Sequence, residues 1–202
     1  RVGMVRGDGP QVVLDERDQL GRAMAPAGLV AMSANDMARW LQIQLAGGAL
    51  PEGGRLFSAT AGRERWSPVT PIPISPAPEP IAATTPTFDA YALGWEVRDY
   101  HGTRIVWHAG GLLGFTSIVC LIPEKNVGFA IEVNAEKSEP RHGLMYELLD
   151  HYLGLPRQDW PQRFHDYRAK RIVDAVAAMK QTAATPAQVG PSLPLESYAG
   201  IY

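Results

Sequence analysis

Trp107-His108-Ala109-Gly110-Gly111-Leu112-Leu113-Gly114-Phe115 places a histidine and three glycines at the end of one predicted strand, just before the next begins. Glycine in or beside a strand marks a place where another backbone or a ligand must come close. A histidine there can donate a hydrogen bond or move a proton near neutral pH. A plain hairpin with glycines in its turn has the same pattern, so the neighbouring segments decide between the two readings.

Upstream, Tyr91, Leu93, Trp95 and Val97 alternate with smaller or polar residues, the pattern of a strand with one buried face. His101-Gly102 supplies a turn before Ile105-Val106-Trp107-His108. Downstream, Phe115 to Ile122 is apolar on both faces and reads as a central strand. The turn Pro123-Glu124-Lys125-Asn126 and a further strand, Val127 to Asn134, follow. Connections this short make the strands antiparallel neighbours. Leu144, Leu148, Leu149 and Tyr152 then mark a helix from about His142 to Leu153, laid on one face of the sheet.

This ordered series resembles the C-terminal part of the serine β-lactamase and penicillin-binding-protein superfamily, with class C β-lactamases and their esterase and D-peptidase relatives nearest. The resemblance covers roughly residues 20 to 155. It includes Ala27-Gly28-Leu29 and Ser33-Ala34-Asn35-Asp36-Met37-Ala38-Arg39-Trp40, which are similar to a helix start in the family's helical region. The family carries Lys-Thr-Gly or His-x-Gly on the strand beside its active site, and His108-Ala109-Gly110 fits the second form.

The resemblance implies a serine hydrolase working through an acyl-enzyme on an ester or amide, such as a D-amino-acid peptide or a β-lactam. His108 would assist proton transfer or contact substrate, and the N–H of Gly111 would be one oxyanion donor, worth about 3 kcal/mol. Ala109 and Gly110 would let substrate lie along the strand edge. Arg141 falls near where class C relatives hold a substrate carboxylate, although a solvated arginine at a helix start fits it as well.

One part of the chemistry is missing. The family's nucleophile lies in Ser-x-x-Lys, and no serine of these 202 residues has lysine three positions on. Ser33-Ala34-Asn35 matches the family's Ser-x-Asn motif in form, but Ser33 with Asp36 also makes a helix capping box. No Gly-x-Ser-x-Gly elbow offers another nucleophile. The expectation is therefore an α+β chain forming the C-terminal part of a β-lactamase-like fold. Three or four antiparallel strands would be packed by helices, with the N-terminal strands and the nucleophile region absent. A noncatalytic binding or scaffold protein on the same fold is the alternative from another class, and a metal-dependent hydrolase a second.

Composition narrows the partners. A formal net charge of −2 provides no electrostatic footprint for nucleic acid or an anionic membrane. No apolar run approaches the roughly 20 residues of a membrane span. The single cysteine, Cys120, precludes an internal disulfide and sits in an apolar strand, where it reads as buried and inert. His101, His142, His151 and His165 show no helical pair at zinc spacing, so no metal or other cofactor is expected. A periplasmic or otherwise extracytoplasmic setting is implied by the resemblance alone. The expected partners are a small-molecule or peptide substrate and the missing N-terminal part. A second copy could also pair at the open edge beside Val127 to Asn134.

Elsewhere, a short strand is expected at Gln11 to Leu14 and a helix from Ser33 to Ala46. That helix carries Met37, Trp40, Leu41 and Leu45 as an apolar stripe and is stopped by Gly47-Gly48. Prolines at 68, 71, 73, 76, 78, 80 and 86 bar a helix or a central strand. That segment reads as surface loop or as a wall of the substrate cleft. The expected division is 1–155 for the hydrolase part and 156–194 for a helix and linker. Residues 195–202 would then open a C-terminal β domain. Within the second part, Gln162 to Lys180 reads as a charged helix with Ile172, Val173, Val176 and Met179 on one side, followed by a tether from about Thr182 to Pro194.

Overall fold

His101 and Gly102, both with positive φ (49° and 78°), form the tight turn that joins two strands, β5 (Glu96–Tyr100) and β6 (Thr103–Leu112). A turn with both central residues left-handed matches the natural twist of a hairpin. The computed structural model describes residues 2–4, 11–15, 22–28, 30–184 and 190–200. Within them, β3 (Thr70–Pro71), β4 (Asp89–Tyr91), β5, β6, β7 (Phe115–Ile122) and β8 (Val127–Val133) form one antiparallel sheet in chain order. A separate two-stranded sheet pairs β1 (Val2–Met4) with β2 (Gln11–Val13).

The α+β class and the order of the strands agree with expectation, but the sheet has six strands rather than three or four. Tyr91 to Val97 is not one strand. Gly94, at φ 78°, turns the chain, and Ala92 N–H bonds Trp95 O at 2.7 Å, so β4 and β5 are the two arms of a hairpin. The other added strand comes from the proline-rich segment. Thr70–Pro71 sits at the sheet edge, where the missing donor of Pro71 costs no ladder bond.

Alternation across the sheet separates two cores. Ile105, Ile118, Cys120 and Ile122 pack with Met145, Tyr146 and Leu149 of α3 (Glu139–Leu153) and with Trp160 and Phe164 of α4 (Trp160–Ala184). Val97, Val106 and Leu121 face the other way, onto Leu41 of α1 (Ala34–Leu45) and Trp95. A Cβ on Gly128 would come within 2.7 Å of Leu121 Cδ2, so this glycine lets the layers close.

Helix α1 begins at Ser33, whose hydroxyl accepts from Asp36 N–H at 3.2 Å while the Asp36 carboxylate bonds back to Ser33 N–H. It ends where Gly48 N–H bonds Ile43 O at 2.8 Å. A short helix, α2 (Ala59–Glu64), follows. In α3 the buried side is Met145, Tyr146, Leu149 and Asp150, whereas Leu144 and Tyr152 are exposed, contrary to the stripe expected from spacing. Asp150 accepts from Tyr100 Oη at 2.7 Å and from Trp160 Nε1 at 2.6 Å, which ties β5, α3 and the start of α4 together.

The chain divides into two compact units, 1–168 and 169–202. In the second unit Val173, Val176 and Met179 are exposed, and helix continues through Thr182 to Ala184. Residues 185–189 of the expected tether and residues 201–202 lie outside the described residues. Within 2–4, 11–15, 22–28, 30–184 and 190–200, no helix is long and apolar enough to cross a membrane.

Candidate active site at an open strand end

The two arms of the β5–β6 hairpin are unequal. Glu96, the first residue of β5, pairs with Trp107, yet β6 runs five residues further, from His108 to Leu112. The turn closes on Tyr100 and Thr103, which makes that pair hydrogen-bonded. Antiparallel bonding alternates along a strand, so Thr103, Ile105 and Trp107 turn their N–H and C=O toward β5. Ala109 and Gly111 turn theirs the same way, but past the end of β5. Gly110 and Leu112 face β7, where they pair with Ser117 and Phe115. The result is a notch with two outward N–H groups.

The two glycines differ in kind. A Cβ on Gly110 would lie 2.6 Å from Ser117 Oγ, a contact that asks the serine side chain to turn away. Among the described residues nothing comes within 4 Å of such a Cβ on Gly111, and the residue is exposed. Its setting is an exposed stretch of strand past the end of β5.

His108, on the face opposite Trp107, is exposed, and its Nε2 lies 3.2 Å from Tyr91 Oη. Tyr91 belongs to β4, two strands away, and reaches His108 across the end of β5. The rings meet edge-on with centroids 6.1 Å apart. Which group donates follows the imidazole tautomer. Sequence reasoning missed Tyr91 because it placed the residue inside a single strand. The signal was Gly94, whose turn folds Tyr91 back beside the notch.

Arg141 is not a solvated helix-start residue. It is buried, and its Nη1 donates to Gly110 O at 2.5 Å and Ser117 O at 2.6 Å, so that nitrogen is spent on the sheet's own backbone rather than on a substrate carboxylate. Glu136 accepts from Gly114 N–H at 3.2 Å, and Thr116 Oγ1 donates to Ala135 O at 3.2 Å. These bonds hold the segment before α3 against the β6–β7 hairpin and bring the first turn of α3 under Gly110. Burial lowers the basicity of Arg141, and burial followed by the Arg141 charge lowers that of His142.

Other candidates resolve plainly. Ser33 is a helix cap with its hydroxyl committed to Asp36, and that hydrogen bond lowers the Asp36 carboxyl. Cys120 is fully buried, and desolvation raises its thiol. Among the described residues no group of three His, Cys, Asp or Glu side chains could hold a metal ion. The proline-rich segment helps line a cavity of about 350 Å³ with Trp107, His142 and Tyr146. Trp107 and His108 alternate, so that cavity lies on the face away from His108.

Residues 2–147 match the family described as Beta-lactamase. A protein named Unguisins hydrolase ungD from Aspergillus violaceofuscus is 36% identical over 137 residues, covering 64% of this chain and 24% of that protein. Unguisins hydrolase ungD′ from Aspergillus campestris is 31% identical over 187 residues, covering 87% and 32%. The chain thus spans about a quarter to a third of the length of these relatives. An octameric penicillin-binding protein homologue from Pyrococcus abyssi aligns at TM-score 0.48 and 19% identity, over 61% of this chain and 24% of that one.

Proposed function

Because the chain belongs to the β-lactamase family, a family whose matched relatives are named hydrolases, we propose that its open strand end is the donor half of an acyl-transfer site in a longer serine hydrolase. The observation that carries the proposal is the direction of Ala109 and Gly111, whose N–H groups are turned to the β5 side beyond the end of β5, beside His108. An oxyanion is stabilised by donors fixed before the charge develops, and a strand backbone is such a fixture. The Gly111 N–H supplies one donor. The second donor and the nucleophile belong to a Ser-x-x-Lys segment that this chain does not contain.

Substrate main chain lies along Ala109–Gly111 as an added strand, and His108 moves a proton at its edge. The bond cleaved is an ester or amide, as in a D-amino-acid peptide, a β-lactam or a compound of the unguisin type for which the relatives are named. Strand β8, at the sheet's edge, is where further strands of the longer protein or a second copy would pair. An extracytoplasmic setting is part of the proposal, and the fungal relatives lend no support to a periplasm.

Labelling with a fluorophosphonate and a fluorescent penicillin, read by intact mass, tests the proposal. The expected result is no adduct on the 202-residue chain and a stoichiometric adduct on the longer protein, at a serine of Ser-x-x-Lys. An adduct on any serine of this chain, or a longer reading frame without that motif, would overturn it.

A further inference from the structure

We propose that Arg141 is a positioning residue for the Gly111 donor, acting through the single peptide group that joins Gly110 to Gly111. The inference rests on the reading of Gly111 as an oxyanion donor, but its physical content is testable without catalysis.

In a trans peptide the carbonyl oxygen and the amide hydrogen point in opposite directions. Arg141 Nη1 holds Gly110 O at 2.5 Å on the β7 side, so the N–H of Gly111 is aimed to the other side, into the notch. The same nitrogen holds Ser117 O at 2.6 Å, and Ser117 is the residue paired with Gly110. Two carbonyls on adjacent strands are thus referred to one point, and the peptide plane between the glycines cannot rock without breaking a charge-assisted bond.

The charge matters as well as the geometry. A guanidinium on the oxygen polarises the peptide and makes its N–H a stronger donor, and low local dielectric increases the effect. Glu139 is the carboxylate whose charge acts on Arg141, and it is itself engaged elsewhere. Among the described residues Arg141 makes no ion pair, and Glu139, two residues earlier, is held by Arg168 at 2.6 Å. A bare staple between β6 and β7 would need only a donor, whereas polarising the peptide needs a cation.

Backbone NMR on the labelled 202-residue chain separates these roles. Arg141→Lys keeps a cation, Arg141→Gln keeps a neutral donor, and Arg141→Met keeps neither. The expected result is an upfield move of the Gly111 amide and the Gly110 carbonyl in Arg141→Gln and Arg141→Met. Both resonances return toward wild type in Arg141→Lys, while the amide of Ala109, one peptide pair away, stays in place throughout. Gly111 resonances that match wild type in Arg141→Gln would overturn the inference, as would Ala109 moving as far as Gly111. If the variants fail to fold, the wild-type chain still decides through the scalar coupling across the hydrogen bond from the Arg141 guanidinium to the Gly110 carbonyl. That coupling is expected to be present, and its absence would overturn the inference.

In the longer protein Arg141→Gln should slow acylation roughly tenfold with KM unchanged, since it weakens one oxyanion donor rather than removing it. A parent without acyl transfer would sink the functional proposal and leave the NMR result standing. An active parent with an unmoved Gly111 amide would sink the Arg141 inference alone.

Discussion

The two halves of β6 are built from the same backbone and do opposite things. From Thr103 to Trp107 the strand is paired on the β5 side, and Ile105 and Val106 are fully buried, one in each core. From His108 to Leu112 it keeps β7 but has outrun β5, and His108 and Gly111 are exposed. A half-strand with both edges satisfied contributes stability. One with a free edge gives some of that up and gains directional donors held by the half that is closed. The rigid half is what makes the open half usable, because a donor must be in place before charge develops.

The largest effect expected falls on the open half. In the longer protein His108→Ala should lower turnover by roughly 10²–10⁴-fold, the range for a general acid or base, with little change in melting temperature. Near-wild-type turnover on a substrate the parent demonstrably cleaves would return His108-Ala109-Gly110 to a plain glycine hairpin. In the closed half the reverse holds. Ile105→Ala empties a fully buried site and should cost about 2–5 kcal/mol in a denaturant titration of this chain. A cost near zero would mean that the closed half is not the support claimed for it.

At the boundary, Gly110→Ala brings a Cβ to within 2.6 Å of Ser117 Oγ, which must turn away, and should destabilise by about 0.5–1.5 kcal/mol. Ser117→Gly in the same chain should recover most of that loss. A single mutant as stable as wild type would show that the hairpin yields more easily than its packing implies.

The smallest effect concerns His142, which lines the cavity beside Trp107 of the closed half and whose Nδ1 lies 2.9 Å from Ser138 O. Burial and the Arg141 charge hold its imidazole below the ordinary value of 6.5. A group lowered in the folded state contributes its full stability above the unfolded value and loses it as pH falls through the folded one. Melting temperature should therefore drop more steeply below about pH 6.5 in wild type than in His142→Gln. Parallel profiles would remove His142 from the acid response.

Much of this contrast was legible in the sequence, and the exceptions share a cause. His101-Gly102, the start of β7 at Phe115 and the Ser33 cap were readable because each is set by residues within a few positions of one another. Alternation at Tyr91, Leu93, Trp95 and Val97 imitated one strand, since the Gly94 turn happens to preserve the period. The buried side of α3 was misjudged because distant residues choose it. Asp150 is drawn inward by Tyr100 and Trp160, and a Cβ on Gly143 would meet Pro161 Cα at 2.7 Å. Arg141 has the composition of a surface residue, and only the β6–β7 register shows two carbonyls waiting for it. Family resemblance supplied His108 and Gly111, while Tyr91 needed the fold.

Amide hydrogen exchange along β6 tests the central claim on this chain alone. Ile105, Trp107, Ala109 and Gly111 all turn their N–H groups to the same side of one strand. The account predicts strong protection at Ile105 and Trp107 and near-unprotected exchange at Ala109 and Gly111, with Gly110 protected by β7 between them. Protection at Gly111 equal to that at Trp107 would contradict it, because the proposed oxyanion donor would then already be taken.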